Sequence, residues 1–370
     1  MDRMPMYVFS SSSSEMERRL ATDRLSWMSV ALAPLIPVSH LYGLVMRARS
    51  ALYAVGLLPS RSLPVRVVSI GNLTLGGTGK TPVVIALATA LAARGRRVGI
   101  VSRGYGRRHP ATLVEVSDGQ SMRSTASESG DEPVLIAERC PGLPVAVAAD
   151  RYQAGRHLID RFQIDTLLLD DGFQHQRLRR DIDVLILDAT APFGNGYVFP
   201  RGRLRECPSA MQRGTMVLLT RTRRAVGVES LKARIRDIAP GMPIGAVDFT
   251  PSQLIHLESG RTEHPTALRG ERVVAVSGIG NPESFEAMLS AGGAVVAAHR
   301  VFSDHHEYSV EEVQQLAGHA DELGATRIVT TEKDAVKLKA FSEKTRMWAV
   351  RIDVEWVEGF EEWTRVVLNN

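Results

Sequence analysis

A glycine-rich stretch from Gly71 to Pro82, GNLTLGGTGKTP, has the residue types that bind the phosphates of a nucleotide. It follows a largely apolar run, Val65–Ile70, and precedes an alanine-rich helical pattern, so the predicted order is strand, loop and helix. In such a loop the backbone N–H groups converge on phosphate oxygens, the Lys80 ammonium reaches the β- and γ-phosphates, and the Thr81 hydroxyl binds Mg²⁺. The sequence therefore predicts a nucleoside triphosphate and Mg²⁺. The residues predicted to bind the nucleotide are Thr74, Leu75, Gly76, Gly77, Thr78, Gly79, Lys80 and Thr81.

The stretch departs from the phosphate-loop pattern G-x-x-x-x-G-K-[ST] at one position, because Thr74 replaces the first glycine. Gly76, Gly77 and Gly79 still supply the conformational freedom that the turn needs. The alternative interpretation is a strand-to-helix turn in which the Lys-Thr pair occurs by chance.

The run from Asp165 to His175, DTLLLDDGFQH, reads as a buried strand that ends in two carboxylates. Ligands of parallel sheets bind beyond the carboxyl ends of the strands, so Asp170 and Asp171 are predicted to hold or position Mg²⁺. The sequence does not distinguish which of the two binds the metal. A surface Asp-Asp-Gly turn is the alternative.

A polar segment, Ser117–Gly130, leads to Asp131, Glu132 and Pro133. Long polar loops in compact domains are often functional. From these residues alone, Asp131 is either a general base near the phosphates or the N-cap of a helix that begins near Pro133.

Short apolar strands alternate with helical patterns along the middle of the chain, which predicts an α/β fold with a mainly parallel, P-loop NTPase-like sheet and flanking helices.

A chain of 370 residues, 44% hydrophobic and 23% charged, is globular and long enough for two domains. Strand and helix signals resume near Val247, which predicts a smaller C-terminal α/β domain. The expected divisions are a disordered tail at 1–20, a membrane-associating helical segment at 21–60, the P-loop core at 61–222 and the C-terminal domain at 223–370, whose last residues are expected to return to the core. The predicted strands are Val98–Val101, Val145–Ala148, Thr166–Leu169, Val184–Leu187 and Met216–Leu219.

The N-terminal segment indicates contact with a membrane surface. No Asp, Glu, Lys or Arg occurs from Leu25 to Met46, but two prolines interrupt the run and arginines flank both ends, which favours an interfacial segment over a spanning one. A buried helix pair is the alternative.

The net charge of +4 suits an anionic membrane or a phosphorylated substrate, whereas no nucleic-acid-binding motif is present. Two cysteines, Cys140 and Cys207, form no disulfide framework, which favours a reducing compartment.

Eight motifs occur together and in order, and their joint pattern resembles the tetraacyldisaccharide 4'-kinase family of lipid A biosynthesis. The resemblance runs from about Trp27 nearly to the C-terminus. The motifs are GNLTLGGTGKTP, SRGYGR (Ser102–Arg107), GDEP (Gly130–Pro133), LLDDGFQH, GRLRE (Gly202–Glu206), SGIGNP (Ser277–Pro282), DHH (Asp304–His306) and TTEKD (Thr330–Asp334).

The resemblance implies that ATP donates its γ-phosphate to the 4'-hydroxyl of an acylated glucosamine disaccharide 1-phosphate, which forms the 4'-phosphorylated lipid A precursor (lipid IVA). It also implies a peripheral or monotopic location at the cytoplasmic face of a Gram-negative inner membrane. No obligate protein partner is inferred. The chain alone does not indicate the acyl-chain preference or the oligomeric state.

The same resemblance implies roles for individual residues. Asp131 matches the catalytic aspartate of the family and a histidine of the DHH motif matches its partner. We favour His305 over His306 because it directly follows Asp304. If the pair forms between two domains, catalysis requires one domain to close over the other. The remaining implied contacts are Arg151 and Arg205 to the nucleotide, Glu206 to the metal, and Asn72 and His175 to the acceptor.

The alternative function is a membrane-associated P-loop switch ATPase without a small-molecule acceptor. Proteins of that class share a similar loop but carry a lysine where this chain has Leu75. Leu75 therefore argues against a lysine-dependent switch.

Overall fold

A computed structural model describes residues 32–107, 112–341 and 346–368. The predicted tail at 1–20 and the first part of the predicted N-terminal segment, including Trp27, lie outside the described residues. The described helices are α1 Leu35–Ala54, α2 Lys80–Ala93, α3 Ala126–Ser129, α4 Asp131–Arg139, α5 Arg151–Phe162, α6 Val228–Ile238, α7 Pro282–Ala291, α8 Val310–Glu322, α9 Glu332–Leu338 and α10 Phe360–Trp363.

The described strands form one 13-stranded sheet in the order β11-β10-β12-β13-β8-β7-β6-β1-β5-β2-β4-β3, with β9 paired to β8. Most neighbours are parallel, so the predicted α/β fold is confirmed. The strands are β1 Arg66–Asn72, β2 Val98–Ser102, β3 Val114–Asp118, β4 Pro144–Val147, β5 Thr166–Asp170, β6 Ile182–Asp188, β7 Met216–Thr220, β8 Ile244–His256, β9 Thr262–Glu263, β10 Arg272–Ser277, β11 Val295–Val301, β12 Arg327–Thr331 and β13 Met347–Glu358.

The long strands β8 and β13 join two parallel blocks that run in opposite directions. β8 is parallel to β7 through Val247, whereas β13 is antiparallel to β8 and parallel to β12. Thr220 at the end of β7 lies opposite Val247, and Thr331 at the end of β12 lies opposite Val350, which pairs with Leu254. The carboxyl edges of the two blocks therefore face each other across the part of β8 between Val247 and Leu254, a span of about 20 Å at the rise of a strand.

Each block has its own hydrophobic clusters. Val68, Ile100 and Leu168 pack with the inner face of α2, whereas Val274, Leu316 and Ile328 pack in the C-terminal half. The end of the described chain returns to the first block, because Trp363 and Val367 are buried in the cluster around α2. The sheet continues across the predicted boundary at residues 222 and 223, and the division into domains stays a prediction.

Helix α1 packs through small residues and leaves its apolar residues outside. Ser39 and Gly43 are buried, and a Cβ added to Gly43 would lie 3.3 Å from Val198. Val38, Leu41, Leu44, Val45 and Leu52 are exposed. Among the described residues, none of the helices has the length and apolar character needed to cross a bilayer.

Candidate active site

The loop between β1 and α2 has the geometry of a phosphate cradle. Gly79 adopts a left-handed conformation, with φ of 89°, directly before α2 begins at Lys80. The buried Asn72 side chain shapes the loop by donating to the carbonyl oxygen of Thr74 at 2.8 Å and to Thr78 Oγ1 at 3.0 Å. The N-terminus of α2 thus opens toward the position where phosphate groups bind.

Both sheet blocks support this loop from outside. Thr220 Oγ1 donates to the Thr78 carbonyl at 2.9 Å, and Arg221 donates to the Gly77 carbonyl at 3.1 Å. From the C-terminal half, the backbone of Gly280 in the SGIGNP motif lies directly against Gly77. A Cβ on Gly280 would lie 2.8 Å from the Gly77 nitrogen, which leaves no space for a side chain at position 280.

The two carboxylates after β5 have different environments. Asp171 accepts two hydrogen bonds from Arg205, at 2.7 and 2.9 Å, and its Oδ1 lies 3.7 Å from Lys80 Nζ. Burial opposes ionisation, but Lys80 and Arg205 outweigh it and lower the pKa of Asp171 to about 2. Asp170 accepts a hydrogen bond from Ser102 at 3.1 Å through Oδ2. Burial, together with the nearby Glu132 carboxylate, raises the pKa of Asp170 to about 7.

Asp170 has the environment expected of a residue that binds a cation. Its Oδ1 is buried without a hydrogen-bond partner among the described residues, and buried carboxylate oxygens ordinarily have one. A Mg²⁺ ion would satisfy this oxygen and favour the ionised carboxylate. Thr81, the residue after the loop lysine, lines the cleft that the neighbouring Asp171 also borders. Thr81 and Asp170 therefore fit the ion.

Glu206, which the resemblance places at the metal, pairs with an arginine in this structure. Its carboxylate is buried against Arg213, with Arg213 Nη1 at 2.9 Å from Oε2 and a hydrogen bond of 3.0 Å from Nη2 to Oε1. Within residues 32–107, 112–341 and 346–368, no group of three or more acidic, histidine or cysteine side chains has the arrangement of a metal site. The role of Glu206 at the metal stays a prediction.

Asp131 and His305, which are 174 positions apart, meet in this structure. The Nδ1 atom of His305 lies 2.8 Å from Asp131 Oδ1 and 3.0 Å from Oδ2. Asp131 is the first residue of α4, and Gly130 rather than Asp131 occupies the N-cap position. His306 instead pairs with Glu312 at 3.0 Å and stacks on Phe302. The geometry therefore favours His305 as the partner.

The electrostatics of this pair keep the carboxylate charged. Burial would raise the pKa of Asp131, but the hydrogen bond from His305 and the charges of Lys333 and Lys337 hold it well below its usual range. Burial opposes protonation of His305, yet the same hydrogen bond raises the pKa of the imidazole above its ordinary value. At neutral pH, Asp131 is thus an anion in contact with a readily protonated imidazole.

Two predicted acceptor contacts have no support in this geometry. Asn72 has no exposed surface because it is enclosed by the phosphate loop that it shapes. The Nε2 atom of His175 is buried, without a partner in the described part of the chain, and His175 is absent from the cleft lining. Burial and the nearby Arg151 lower the pKa of His175 to about 4. Its neighbour Gln174 lines the cleft instead.

The two predicted nucleotide arginines lie on the same side of the loop. Arg205 lines the cleft and pairs with Asp171. Arg151 is buried, donates to the carbonyl of Ala149 at 2.9 Å and lies close enough to Asp171 for the charges to interact. Burial lowers the pKa of Arg151 to about 10 despite this carboxylate. Arg205 lies at the cleft, where it can contact a phosphate. Arg151 is buried, and its charge interacts with Asp170 and Asp171.

Sequence reasoning left out several residues that the structure brings to the site. Lys333 and Lys337 each place Nζ 3.5 Å from Asp131 Oδ2, and Tyr105 packs on the His305 ring with 5.1 Å between centroids. The motifs SRGYGR, SGIGNP and TTEKD contain Tyr105, Gly280 and Lys333. Motif membership was the available signal, but the contact with Asp131 depends on the fold.

A cleft of about 880 Å³ lies between the facing edges of the sheet blocks, and the phosphate loop, Asp171, Arg205, Tyr105, His305 and Lys333 line it. The phosphate loop and Asp171 lie on one side, and His305 and Lys333 lie on the other. Tyr42 and Met46 of α1 contribute an apolar part of the wall. The cleft can therefore hold a nucleotide and a partly apolar acceptor together.

Comparisons with known proteins agree with this geometry. The family model described as "Tetraacyldisaccharide-1-P 4'-kinase" matches residues 31–369. The chain is 43% identical over 339 residues to a tetraacyldisaccharide 4'-kinase of Anaeromyxobacter dehalogenans (strain 2CP-C), covering 90% of this chain and 88% of that protein. A tetraacyldisaccharide 4'-kinase of Geobacter metallireducens is 42% identical, covering 84% of this chain and 89% of the relative.

A crystal structure of LpxK from Aquifex aeolicus in complex with ATP has the same fold. It matches with a TM-score of 0.74 at 29% identity and covers 91% of this chain and 98% of that chain. The similarity therefore includes both sheet blocks.

The contact between Gly280 and the phosphate loop gives a first prediction. A Cβ at position 280 would lie 2.8 Å from the Gly77 nitrogen, so Gly280→Ala should displace the SGIGNP motif or the loop. We expect ATP to bind about tenfold more weakly, which corresponds to a loss of about 1.4 kcal/mol of binding free energy, and calorimetry measures this change. Gly318→Ala in α8 is the matched control, because its Cβ would meet no described atom within 4 Å. Equal ATP affinity in both variants would contradict the contact.

Proposed function

The chain belongs to the tetraacyldisaccharide-1-P 4'-kinase family and is an ATP-dependent lipid A 4'-kinase, and we propose that the Asp131–His305 pair activates its acceptor hydroxyl. The observation that carries the proposal is the 2.8 Å contact between Asp131 and His305 at a cleft that the phosphate loop also borders. One side of the cleft binds the donor and the other receives the 4'-hydroxyl of the acylated disaccharide 1-phosphate.

The donor side acts mainly through positioning and charge. The loop N–H groups and Lys80 bind the β- and γ-phosphates, while Asp171 and Arg205 keep the Lys80 ammonium directed into the cleft. Thr81 and Asp170 would hold Mg²⁺, and the ion would neutralise charge on the phosphate oxygens. Asp170 is the favoured metal partner because Asp171 is already occupied by two cations.

The acceptor side removes one proton. The 4'-oxygen forms a bond to the γ-phosphorus as the bond from that phosphorus to the β–γ bridging oxygen breaks, and ADP leaves with the electron pair. The hydroxyl proton moves to the Asp131–His305 pair. The anionic carboxylate stabilises positive charge on the imidazole, so the pair can hold this proton even though an isolated carboxylate with a low pKa is a weak base.

The exposed residues of α1 support contact with a membrane surface, which we propose is the cytoplasmic face. Leu41 and Leu44 are 62% and 61% exposed and lie one turn apart, with Val38 and Val45 on the same side of the helix. The inner side of α1 contributes Tyr42 and Met46 to the cleft. A helix that inserts these residues among lipids would place the cleft at the surface where an acylated acceptor is found.

The direct test of the function supplies the purified chain with Mg·ATP and a tetraacyldisaccharide 1-phosphate. We expect mass spectrometry to find one added phosphate, with fragmentation locating it on the 4' position. Removal of Mg²⁺ by a chelator should abolish transfer, because the phosphate charges are then not neutralised. ATP hydrolysis without a phosphorylated lipid would refute the proposal.

Two variants separate donor binding from chemistry. Asp131→Asn should bind ATP like the wild type but lose most of its transfer rate, because the pair no longer accepts a proton; losses of 10²-fold or more are typical of general bases. Lys80→Ala should weaken ATP binding as well as transfer. Calorimetry and single-turnover assays measure the two effects. Wild-type turnover in Asp131→Asn would remove this residue from the chemistry.

Membrane docking is tested by flotation with vesicles that contain anionic phospholipid. We expect the double variant Leu41→Asp and Leu44→Asp to bind at least about tenfold more weakly, since each leucine buried in lipid contributes about 1.5–3 kcal/mol. Val226→Asp is the matched control, because Val226 is fully exposed and lies outside α1. Unchanged flotation of the α1 variant would exclude this surface as the docking site.

A further inference from the structure

Two lysines of the C-terminal half converge on the carboxylate of Asp131. Lys333 and Lys337 lie four residues apart on α9, and side chains with this spacing share one face of a helix. Each Nζ atom is 3.5 Å from the same oxygen, Asp131 Oδ2. Neither lysine is required to bind the nucleotide in the mechanism above.

The contacts of Asp131 divide between its two oxygens. Oδ1 accepts the Glu132 backbone N–H at 2.9 Å and lies 2.8 Å from His305 Nδ1. Oδ2 faces both ammonium groups and lies 3.0 Å from the same imidazole nitrogen. This arrangement fixes the rotation of the carboxylate. If the carboxylate turned, Oδ1 would lose its hydrogen bond from the Glu132 N–H and Oδ2 would move away from the two ammonium groups.

Each lysine also bonds to the loop that carries His305. Lys337 donates to the carbonyl oxygens of His305 and His306, at 2.9 and 3.1 Å. Lys333 donates to Asp304 and, at 3.0 Å, to the carbonyl oxygen of Gly278 in the SGIGNP motif. The ammonium groups therefore link Asp131 to the loop segments that form the opposite wall of the cleft.

These charges are largely removed from water. The Lys333 and Lys337 side chains are 14% and 9% exposed, and that of Asp131 is 4% exposed. A buried charge is strongly destabilising unless it is paired, so the lysines and the carboxylate depend on one another. Burial would lower the pKa of Lys333, but Asp131 and Asp304 outweigh it and raise the pKa, which keeps the side chain protonated.

We propose that Lys333 and Lys337 are positioning residues for phosphate transfer, which hold the Asp131 carboxylate ionised and directed at His305. The proposal rests on the proposed function of the Asp131–His305 pair and assigns control of that pair to α9. The TTEKD motif, which contains Lys333, lies at the end of β12, and this end faces the phosphate loop across the cleft.

Other titratable groups near the Asp131–His305 pair also affect the pH dependence of transfer. Asp334 is buried behind Lys333 and accepts hydrogen bonds from Tyr308 and from the Gly278 backbone. The groups that face Asp131, His305 or the two lysines are Glu132 of α4, Asp304, Glu307 and Tyr308 of the loop after β11, and Asp334 of α9.

The pH profile of single-turnover transfer tests the proposal. Removal of the Lys333 charge should raise the pKa of both Asp131 and His305, so the acid limb of the profile in Lys333→Met should move to higher pH. A nearby opposite charge shifts a carboxyl pKa by about one unit or more, which sets the expected displacement. Lys333→Arg keeps the charge and should restore the wild-type midpoint.

The matched control is Lys339→Met, since Lys339 pairs with Glu138 at 2.7 Å at the surface, away from Asp131. Its midpoint should equal that of the wild type. A lower rate in Lys333→Met at every pH, with the midpoint unmoved, would assign Lys333 a purely structural role and overturn the proposal. So would an unchanged profile.

A second measurement does not depend on catalysis. The imidazole of His305 can be titrated by NMR. We expect the His305 midpoint to rise in Lys333→Met and to return to the wild-type value in Lys333→Arg. An unchanged His305 midpoint would contradict the proposal, whereas wild-type protein that fails to phosphorylate the lipid would contradict the proposed function alone.

Discussion

The antiparallel pairing of β8 with β13 is the constraint on which the site depends. If the two parallel blocks were simply side by side, their carboxyl ends would lie at opposite edges of the sheet. The last residue of β7 pairs with Val247 of β8, whereas Val350 of β13 pairs with Leu254, which lies further along β8. The two blocks are therefore displaced from each other along β8. Their carboxyl edges therefore face one another, and loops from both can reach one cleft.

Charge pairing then determines how the two edges meet. Asp131 belongs to the first block and His305 and Lys333 to the second, and all are largely buried. The helices that carry the acidic and basic groups are joined further along by Arg139 and Glu332, at 2.7 Å. Because separating these groups would leave buried charges unpaired, these contacts also hold the two blocks together at the cleft.

The sequence predicted the features that depend on neighbouring residues. The strand, loop and helix around Lys80 are formed by neighbouring residues, and the structure has them in the predicted order. Motif resemblance identified Asp131 and His305, but their contact joins residues 174 apart, which no periodicity encodes. The pairing of Glu206 with Arg213 could not be read from the motif, because it depends on how the chain folds. Lys337 was missed because its role follows only from the ladder that brings α9 to α4.

The central claim is that Asp131 and His305 act as one catalytic unit across the two blocks. Single-turnover transfer to the tetraacyldisaccharide 1-phosphate, at saturating ATP, tests it in Asp131→Asn, His305→Ala and the double variant. Groups that act as a unit are strongly non-additive, so we expect the double variant to be about as slow as the slower single variant. Losses that multiply in the double variant would show that the two residues act independently and would contradict the account.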